Sequence, residues 1–510
     1  MTEREWREAK DMRRATLTLA IIVLLAALLR FWHLGHGIPY AIGVDEPEII
    51  DRATGMMKTG EFNPRFFDYP SLYIYVQLIV STVRFLVGAT SGEWTSLAQV
   101  HPEDFLLWGR AVTAALGSLT VLLVYAIGMR WGTRYALLAA GMMAVMPLHV
   151  RESHYVLTDV PVTFFVTLAF LLSLRAHEQP DAKRFAWAGV AAGLAAATKY
   201  PGALVLLLPL VAVWMTPAAR PSRLSGALAA IGAAAGAYFL AAPYTILDLP
   251  GFLNGYAKLA GSYTGTIVEP GWSISFKHLQ RSMSWPATLA VLGGMGLAIV
   301  RAVKGPGRVR WTLALLFPLV YFWFVSKQSL IFGRYLIPVL PFACVLAAAG
   351  VVSGVGLLRR YEIPRAARTV LVTTLTIAAL LPPAVVSVQF NRMISKRSTT
   401  ELAYRWLREN IPPGSSIVME SRALAPRADP YRFINVVQLR MKDYGAYRAE
   451  NVDYLIASSQ CYGPYLNESH KYPREYAEYM SIFTQSRELA RFTPDGDHPG
   501  PELRILKVVP

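Results

Sequence analysis

Charge is scarce in this sequence. Only 16% of its 510 residues are Asp, Glu, Lys or Arg, against about 25% in a water-soluble domain. A soluble globular chain is thereby excluded. Cysteine is scarcer still, with Cys344 and Cys461 alone, so a disulfide scaffold is excluded too. The low hydrophobicity that marks a disordered chain is also missing, because 54% of the residues are hydrophobic. What is present instead is a series of long apolar runs, the pattern of a polytopic membrane protein.

The runs predict spans near 15–33, 105–129, 134–149, 159–176, 184–199, 201–217, 224–243, 283–300, 311–326, 335–357 and 369–389. Arg13 and Arg14 precede the first run, and no convincing small-residue cleavage site follows it, so it reads as an anchor. A further apolar stretch, 70–88, is placed by charge. If it does not cross, the N-terminal tail and the breaks at 130–134, 175–184, 218–223, 301–310 and 358–368 share one face. Those segments hold 20 Lys/Arg against 7 Asp/Glu. The opposite segments up to residue 389 are close to balance. Positive charge marks the cytoplasmic face, so 70–88 belongs to the first outer loop, residues 34–104. The expectation is about eleven spans, N-terminus inside and C-terminus outside, in a cell (plasma or inner) membrane. The net charge of +16 then marks cytoplasmic loops, and no nucleic-acid partner is expected.

From about residue 390 the composition changes. Residues 390–510 carry 17 Lys/Arg and 14 Asp/Glu. The stretch 398–420 reads as an amphipathic helix, a Pro-Pro-Gly turn and a strand. FINVVQL, DYLIASS and ELRILKVV read as further strands. The fold class is therefore a polytopic α-helical membrane domain, residues 1–389, with a small extracytoplasmic α/β domain at 390–510.

Charged residues gather at the predicted outer face. They are Asp45 and Glu46 after the first span, then Arg151, Glu152, His154 and Asp159, then Lys199, then Lys327 and Arg334, with Arg110 and Glu269 nearby. Singly, each has a bland reading: a loop acid is solvated, and Asp159 after Thr158 suits a helix N-terminus. Charge at membrane depth is costly, however, and the set is collected on one face. Acids suit a general base or a metal ligand, and Lys and Arg suit a phosphate group. Asp45, Glu46 and Asp159 leave a divalent ion open, although no spacing demands one.

Several stretches, taken in order, resemble the GT-C glycosyltransferases, which include the protein O-mannosyltransferases and the lipid A aminoarabinose transferases. VDEPEIIDRATGMMKTGEF is similar to their first outer loop, and DYPSLYIY to their Pro-Pro-Leu-aromatic segment. RAVTAALGSLTVLLVYAIG is similar to their Arg-led span, TDVPVTFF to their Asp-Pro segment, ATKYPGALVLLLP to their Lys-bearing hairpin, and RYLIPVLP to their Arg-Tyr-Pro span. Tyr69 departs from the pattern: it stands where the aminoarabinose transferases have Lys.

The resemblance implies a GT-C fold and a hexosyl- or pentosyltransferase. The donor is a sugar on a polyprenyl phosphate. The acceptor is a hydroxyl on protein, lipid or glycan, and transfer inverts the anomeric centre. It further implies Asp45 as general base, Glu46 as its orienting neighbour, and Asp159 as a second essential acid. Arg110, Lys199 and Arg334 are then donor-phosphate residues. Tyr69, Arg151, His154, Glu269 and Lys327 stand as possible substrate contacts. Two rivals remain. One is a transporter or flippase of a lipid-linked substrate, which favours mid-membrane charge and repeat symmetry. The other is a polymerase or ligase that uses a diphosphate lipid.

Overall fold

The computed structural model of the chain describes residues 3–40, 43, 45–217, 220–263, 269–357, 364–420 and 430–509. It divides into two compact units. One comprises Met1–Leu34, Glu48–Ala98 and Leu107–Phe390; the other comprises Gly35–Pro47, Gln99–Leu106 and Asn391–Pro510.

The helices up to residue 394 are α1 (Glu3–Phe31), α2 (Pro47–Thr59), α3 (Leu72–Thr90), α4 (Glu103–Gly128), α5 (Thr133–Ala144), α6 (Pro147–Glu152), α7 (Asp159–Glu178), α8 (Ala182–Thr198), α9 (Leu207–Trp214), α10 (Arg220–Ala241), α11 (Tyr244–Leu247), α12 (Leu249–Ser262), α13 (Gly271–Met283), α14 (Trp285–Lys304), α15 (Arg308–Ser326), α16 (Leu340–Leu357) and α17 (Arg365–Ile394). Nine helical stretches among the described residues are long and apolar enough to cross a membrane, carried by α1, α3, α4, α7, α10, α14, α15, α16 and α17. Eight of them coincide with spans read from the sequence, and the ninth is α3. The runs at 134–149, 184–199 and 201–217 form shorter helices, for local reasons. Pro147 follows a break at Val145–Met146, and Pro201 starts a 3-10 stretch, Tyr200–Leu206, between α8 and α9.

Contacts inside this unit separate two ends. The breaks predicted to share the basic face meet one another. Arg130 pairs with Glu178, Arg310 donates to the Arg130 carbonyl, and the rings of Trp131 and Trp311 lie 5.2 Å apart. The breaks at 218–223 and 358–368 fall partly outside the described residues. Helix α3 runs antiparallel to the early turns of α4. Tyr73 bonds Thr113, Gln77 Nε2 donates to the Gly109 carbonyl at 3.4 Å, and Arg84 lies 6.0 Å over Trp108. Since α4 runs on toward Arg130, α3 heads away from that basic end, and at 19 residues it is long and apolar enough to cross a membrane.

Small residues bring the helices close. A Cβ on Gly189 or Gly193 of α8 would strike the carbonyl oxygens of Ala230 and Ala234 on α10, so only glycine permits this approach. In lipid such backbone proximity substitutes packing and dispersion for the absent hydrophobic drive.

The second unit contains helices α18 (Thr399–Asn410), α19 (Tyr444–Ala449), α20 (Ser459–Asn467) and α21 (Pro473–Gln485). Its strands are β1 (Ser416–Glu420), β2 (Arg432–Val436), β3 (Tyr454–Ser458), β4 (Arg487–Phe492) and β5 (Leu503–Lys507). Ser398 caps α18 by accepting the Glu401 amide at 3.1 Å, one half of a capping box. The sheet order is β2-β1-β3-β5-β4. The first three strands are parallel; β5 and β4 are antiparallel additions. Strand alternation buries Ile417, Met419 and Ile456 on one face with Leu407. Val418, Leu455 and Ala457 lie on the other with Tyr479.

Candidate functional site

Asp159, Lys199 and Arg334 meet. Asp159 opens α7, Lys199 ends α8 just before the Pro201 break, and Arg334 sits in the 3-10 stretch Gly333–Val339 that leads into α16. Lys199 Nζ donates to Asp159 Oδ1 at 2.6 Å, with side chains only 11% and 4% exposed. Arg334 Nε lies 3.9 Å from Asp159 Oδ2 and is 22% exposed. Two cations thus approach one carboxylate at the ends of apolar helices. Ammonium and guanidinium groups set side by side are the groups that suit an anion such as phosphate.

Aromatic rings frame these charges. Lys199 Nζ lies 4.6 Å from the Tyr335 ring centroid and 6.0 Å from that of Tyr69. Tyr335 and Tyr263 are joined through their hydroxyls at 3.1 Å. Glu152 is buried next to Arg151, whose Nε donates to it at 2.7 Å. Burial pushes the Glu152 carboxyl above its ordinary range. Arg151 opposes this, the Asp159 charge adds to it, and Arg334 opposes it again. The His278 ring packs against Gly333, and burial lowers the pKa of this imidazole, with Arg281 and Arg151 adding repulsion. Tyr335, Tyr263 and His278 were not singled out in the sequence. A tyrosine or histidine at a span end reads first as an interfacial residue.

Other predicted residues stand elsewhere. Lys327 lies 6.0 Å from the Trp323 ring centroid. Glu269 is paired with Lys277 and accepts from Ser273 Oγ at 3.0 Å. Arg110 is fully buried; its Nη1 donates to the Leu34 carbonyl at 2.8 Å, and the guanidinium lies 5.8 Å from the Tyr155 ring centroid. His154 Nδ1 is 2.8 Å from the Val150 carbonyl and Nε2 3.0 Å from that of Trp32. Burial lowers its pKa to about 4, although both carbonyls favour the charged ring. Arg30 is a buried tie that the sequence reading passed over. It donates to the carbonyls of Ala144 at 2.8 Å and Met143 at 2.9 Å.

Asp45 and Glu46 lie on the segment Gly35–Pro47, which groups with the second unit. Asp45 is half-buried. Glu46 is buried, and its Oε2 accepts the Gly43 amide at 2.7 Å. Among the described residues no three His, Cys, Asp or Glu side chains gather as metal ligands. Asp159 has a cation near each oxygen, so it does not fit a metal ligand.

Residues 74–257 match the family described as Dolichyl-phosphate-mannose-protein mannosyltransferase. No curated protein sequence matches the chain. The fold is that of the GT-C glycosyltransferases. It is similar to the oligosaccharyltransferase AglB of Archaeoglobus fulgidus in complex with an inhibitory peptide and a dolichol-phosphate, with TM-score 0.56 and 13% identity over 88% of this chain and 70% of that one. It is similar also to the same organism's enzyme in complex with Zn and sulfate, with TM-score 0.53 and 14% identity over 86% and 68%. ArnT from Cupriavidus metallidurans, bound to undecaprenyl phosphate, matches end to end: TM-score 0.50 and 13% identity over 96% of this chain and 97% of that one. The chain is thus a multi-pass membrane protein of GT-C architecture, and its resemblance to the protein mannosyltransferases runs through the segment that holds Asp159 and Lys199.

Proposed function

We propose that the protein transfers a sugar from a polyprenyl-phosphate donor to a hydroxyl acceptor at the outer face of the membrane. The carrying observation is the Lys199–Asp159–Arg334 cluster, two cations on one buried carboxylate. The donor phosphate is a diester and becomes a monoester as the sugar leaves, so negative charge grows on it during the reaction. Preorganised cations aimed at growing charge lower the barrier. Lys199 and Arg334 take that role, and Asp159 holds both in place before the lipid arrives. Arg110, buried on the Leu34 carbonyl, acts as a positioning residue. The polyprenyl-phosphate ligands of AglB and ArnT support the donor class.

Asp45 is the general base, a role that comes from the resemblance of its loop. It takes the acceptor proton as oxygen attacks the anomeric carbon, the C–O bond to phosphate breaks, and the configuration inverts. Glu46 holds the loop through the Gly43 amide. The sugar is a hexose or pentose.

The rival reading, transport of a lipid-linked substrate, has one observation in its favour: helices are interrupted beside Lys199 and Arg334, as in transporter sites. One experiment separates the two. Purified protein is given a polyprenyl-phosphate sugar labelled at the anomeric carbon, together with an acceptor hydroxyl. Release of polyprenyl phosphate with a new glycosidic bond of inverted configuration supports transfer. Intact donor moved across proteoliposomes, with no new bond, supports transport.

A further inference from the structure

The C-terminal unit carries a second feature outside the donor cluster. Its parallel strands run in the order β2-β1-β3, so the chain goes to opposite sides of β1. The crevice outside the carboxyl ends of such strands is where open α/β sheets take ligands. Glu420, at the end of β1, is fully buried beneath that edge of the sheet. It accepts from the amides of Leu439 at 3.0 Å and Ser458 at 2.7 Å and from the Tyr479 hydroxyl at 2.6 Å. That carboxylate ties together the ends of both neighbouring strands.

Next to Tyr479 stands a network of planar groups. Arg440 Nε donates to Gln438 Oε1 at 2.6 Å and its Nη1 to Glu478 at 3.1 Å. The guanidinium lies 5.0 Å from the Tyr465 ring centroid, and Gln438 Nε2 donates to the Tyr465 hydroxyl at 3.2 Å. Tyr465 stacks on Tyr479 and meets Tyr472 edge-on at 5.4 Å. Tyr472 is 39% exposed, and Tyr476, whose amide bonds the Tyr472 carbonyl one helical turn on, is 36% exposed. Each planar group is held by a neighbour, so the surface is rigid before anything binds.

We propose that this surface binds a neutral carbohydrate. A sugar ring offers an apolar C–H face and a rim of paired hydroxyls. Exposed tyrosine faces cover the first, and fixed amide, guanidinium and carboxylate edges bond the second. Glu478 already engages both Arg440 and Arg474, which favours a neutral ligand over a phosphate. Identifying the carbohydrate with the acceptor glycan rests on the sugar-transfer reading; binding itself does not.

The full-length protein in detergent is titrated with maltotetraose, cellotetraose and mannotetraose, and separately with inorganic phosphate. Saturation-transfer NMR reads the contacts. At least one tetraose binds, and Tyr472→Ala and Tyr476→Ala each weaken it by about tenfold. Tyr472→Trp restores it, which separates a lost stacking face from misfolding. Lys199→Ala leaves tetraose binding unchanged. Absence of binding by all three sugars overturns the proposal, as does phosphate binding that the tyrosine variants abolish. Tetraose binding without transfer from a lipid donor would uphold this surface while sinking the sugar-transfer reading; transfer without tetraose binding would do the reverse.

Discussion

Lys199 and Asp159 meet at 2.6 Å across the ends of two consecutive helices, both nearly buried. Forty residues apart in sequence, they come together because α7 and α8 run antiparallel and the Pro201 break stops α8 at the level where α7 starts. Removing one partner of a buried pair leaves the other charge without compensation, at a cost of about 3–5 kcal/mol. Lys199→Met alone should therefore lower thermal stability in detergent, and Asp159→Leu alone should do the same. The double variant should recover most of the loss and still bind no polyprenyl phosphate. If the single variants match wild type in stability, the pair is not the contact described. Donor binding by the double variant would show that the phosphate sits elsewhere.

Sidedness provides the second prediction. Single cysteines near residues 60, 95 and 260 should react with an impermeant maleimide from outside, and those near 180 and 305 should not. Position 95 tests α3 directly, since a crossing α3 would carry it inside. Protection at 95 with labelling at 60 would mean that α3 crosses the membrane.

Much of this architecture was legible in the sequence, for physical reasons. Apolar runs of spanning length and the skew of Lys/Arg toward one set of breaks are strong, additive signals. The breaks at Arg130, Glu178 and Arg310 meet in space. Strand β4 was missed because Arg487, Glu488 and Arg491 give it the charge of an edge, and a charged edge strand lacks the alternating apolar pattern. In the site, acids and bases stood out because charge is rare in lipid-facing sequence. Tyr335, Tyr263 and His278 did not, since their role depends on which loops converge, and that is settled by packing. Arg30 passed unnoticed because an arginine at a span end looks like an interface anchor until its carbonyl partners are seen.

Glu152 makes stability depend on pH. Burial raises the pKa of its carboxyl above the ordinary value. Between the ordinary and the raised pKa the folded state holds a proton that the unfolded state has released. Stability therefore falls as pH rises through that window, and the contribution is greatest below it. Glu152→Gln should flatten the fall in thermal stability that sets in above the ordinary glutamate pKa of about 4.3. An unchanged slope in the variant would assign the dependence to another group.

Asp45 carries the last prediction. A hydroxyl is a poor nucleophile until its proton is taken as the new bond forms, and a positioned carboxylate contributes about 10²–10⁴ in rate. Asn keeps the shape of Asp but cannot accept the proton. Asp45→Asn should therefore remain folded and still bind the lipid donor while transfer falls by about a hundredfold or more. Asp45→Glu should recover little, because an added methylene moves the base by about an ångström and reacting groups tolerate little displacement. Glu46→Gln asks a different question: Glu46 accepts the Gly43 amide, and its amide variant should disturb the loop and weaken acceptor use more than donor binding. The assay is transfer from purified polyprenyl-phosphate sugar, with donor binding measured on the same preparations. A loop acid with no chemical role predicts near-normal turnover for both Asp45 variants. Wild-type transfer by Asp45→Asn would remove Asp45 as the base.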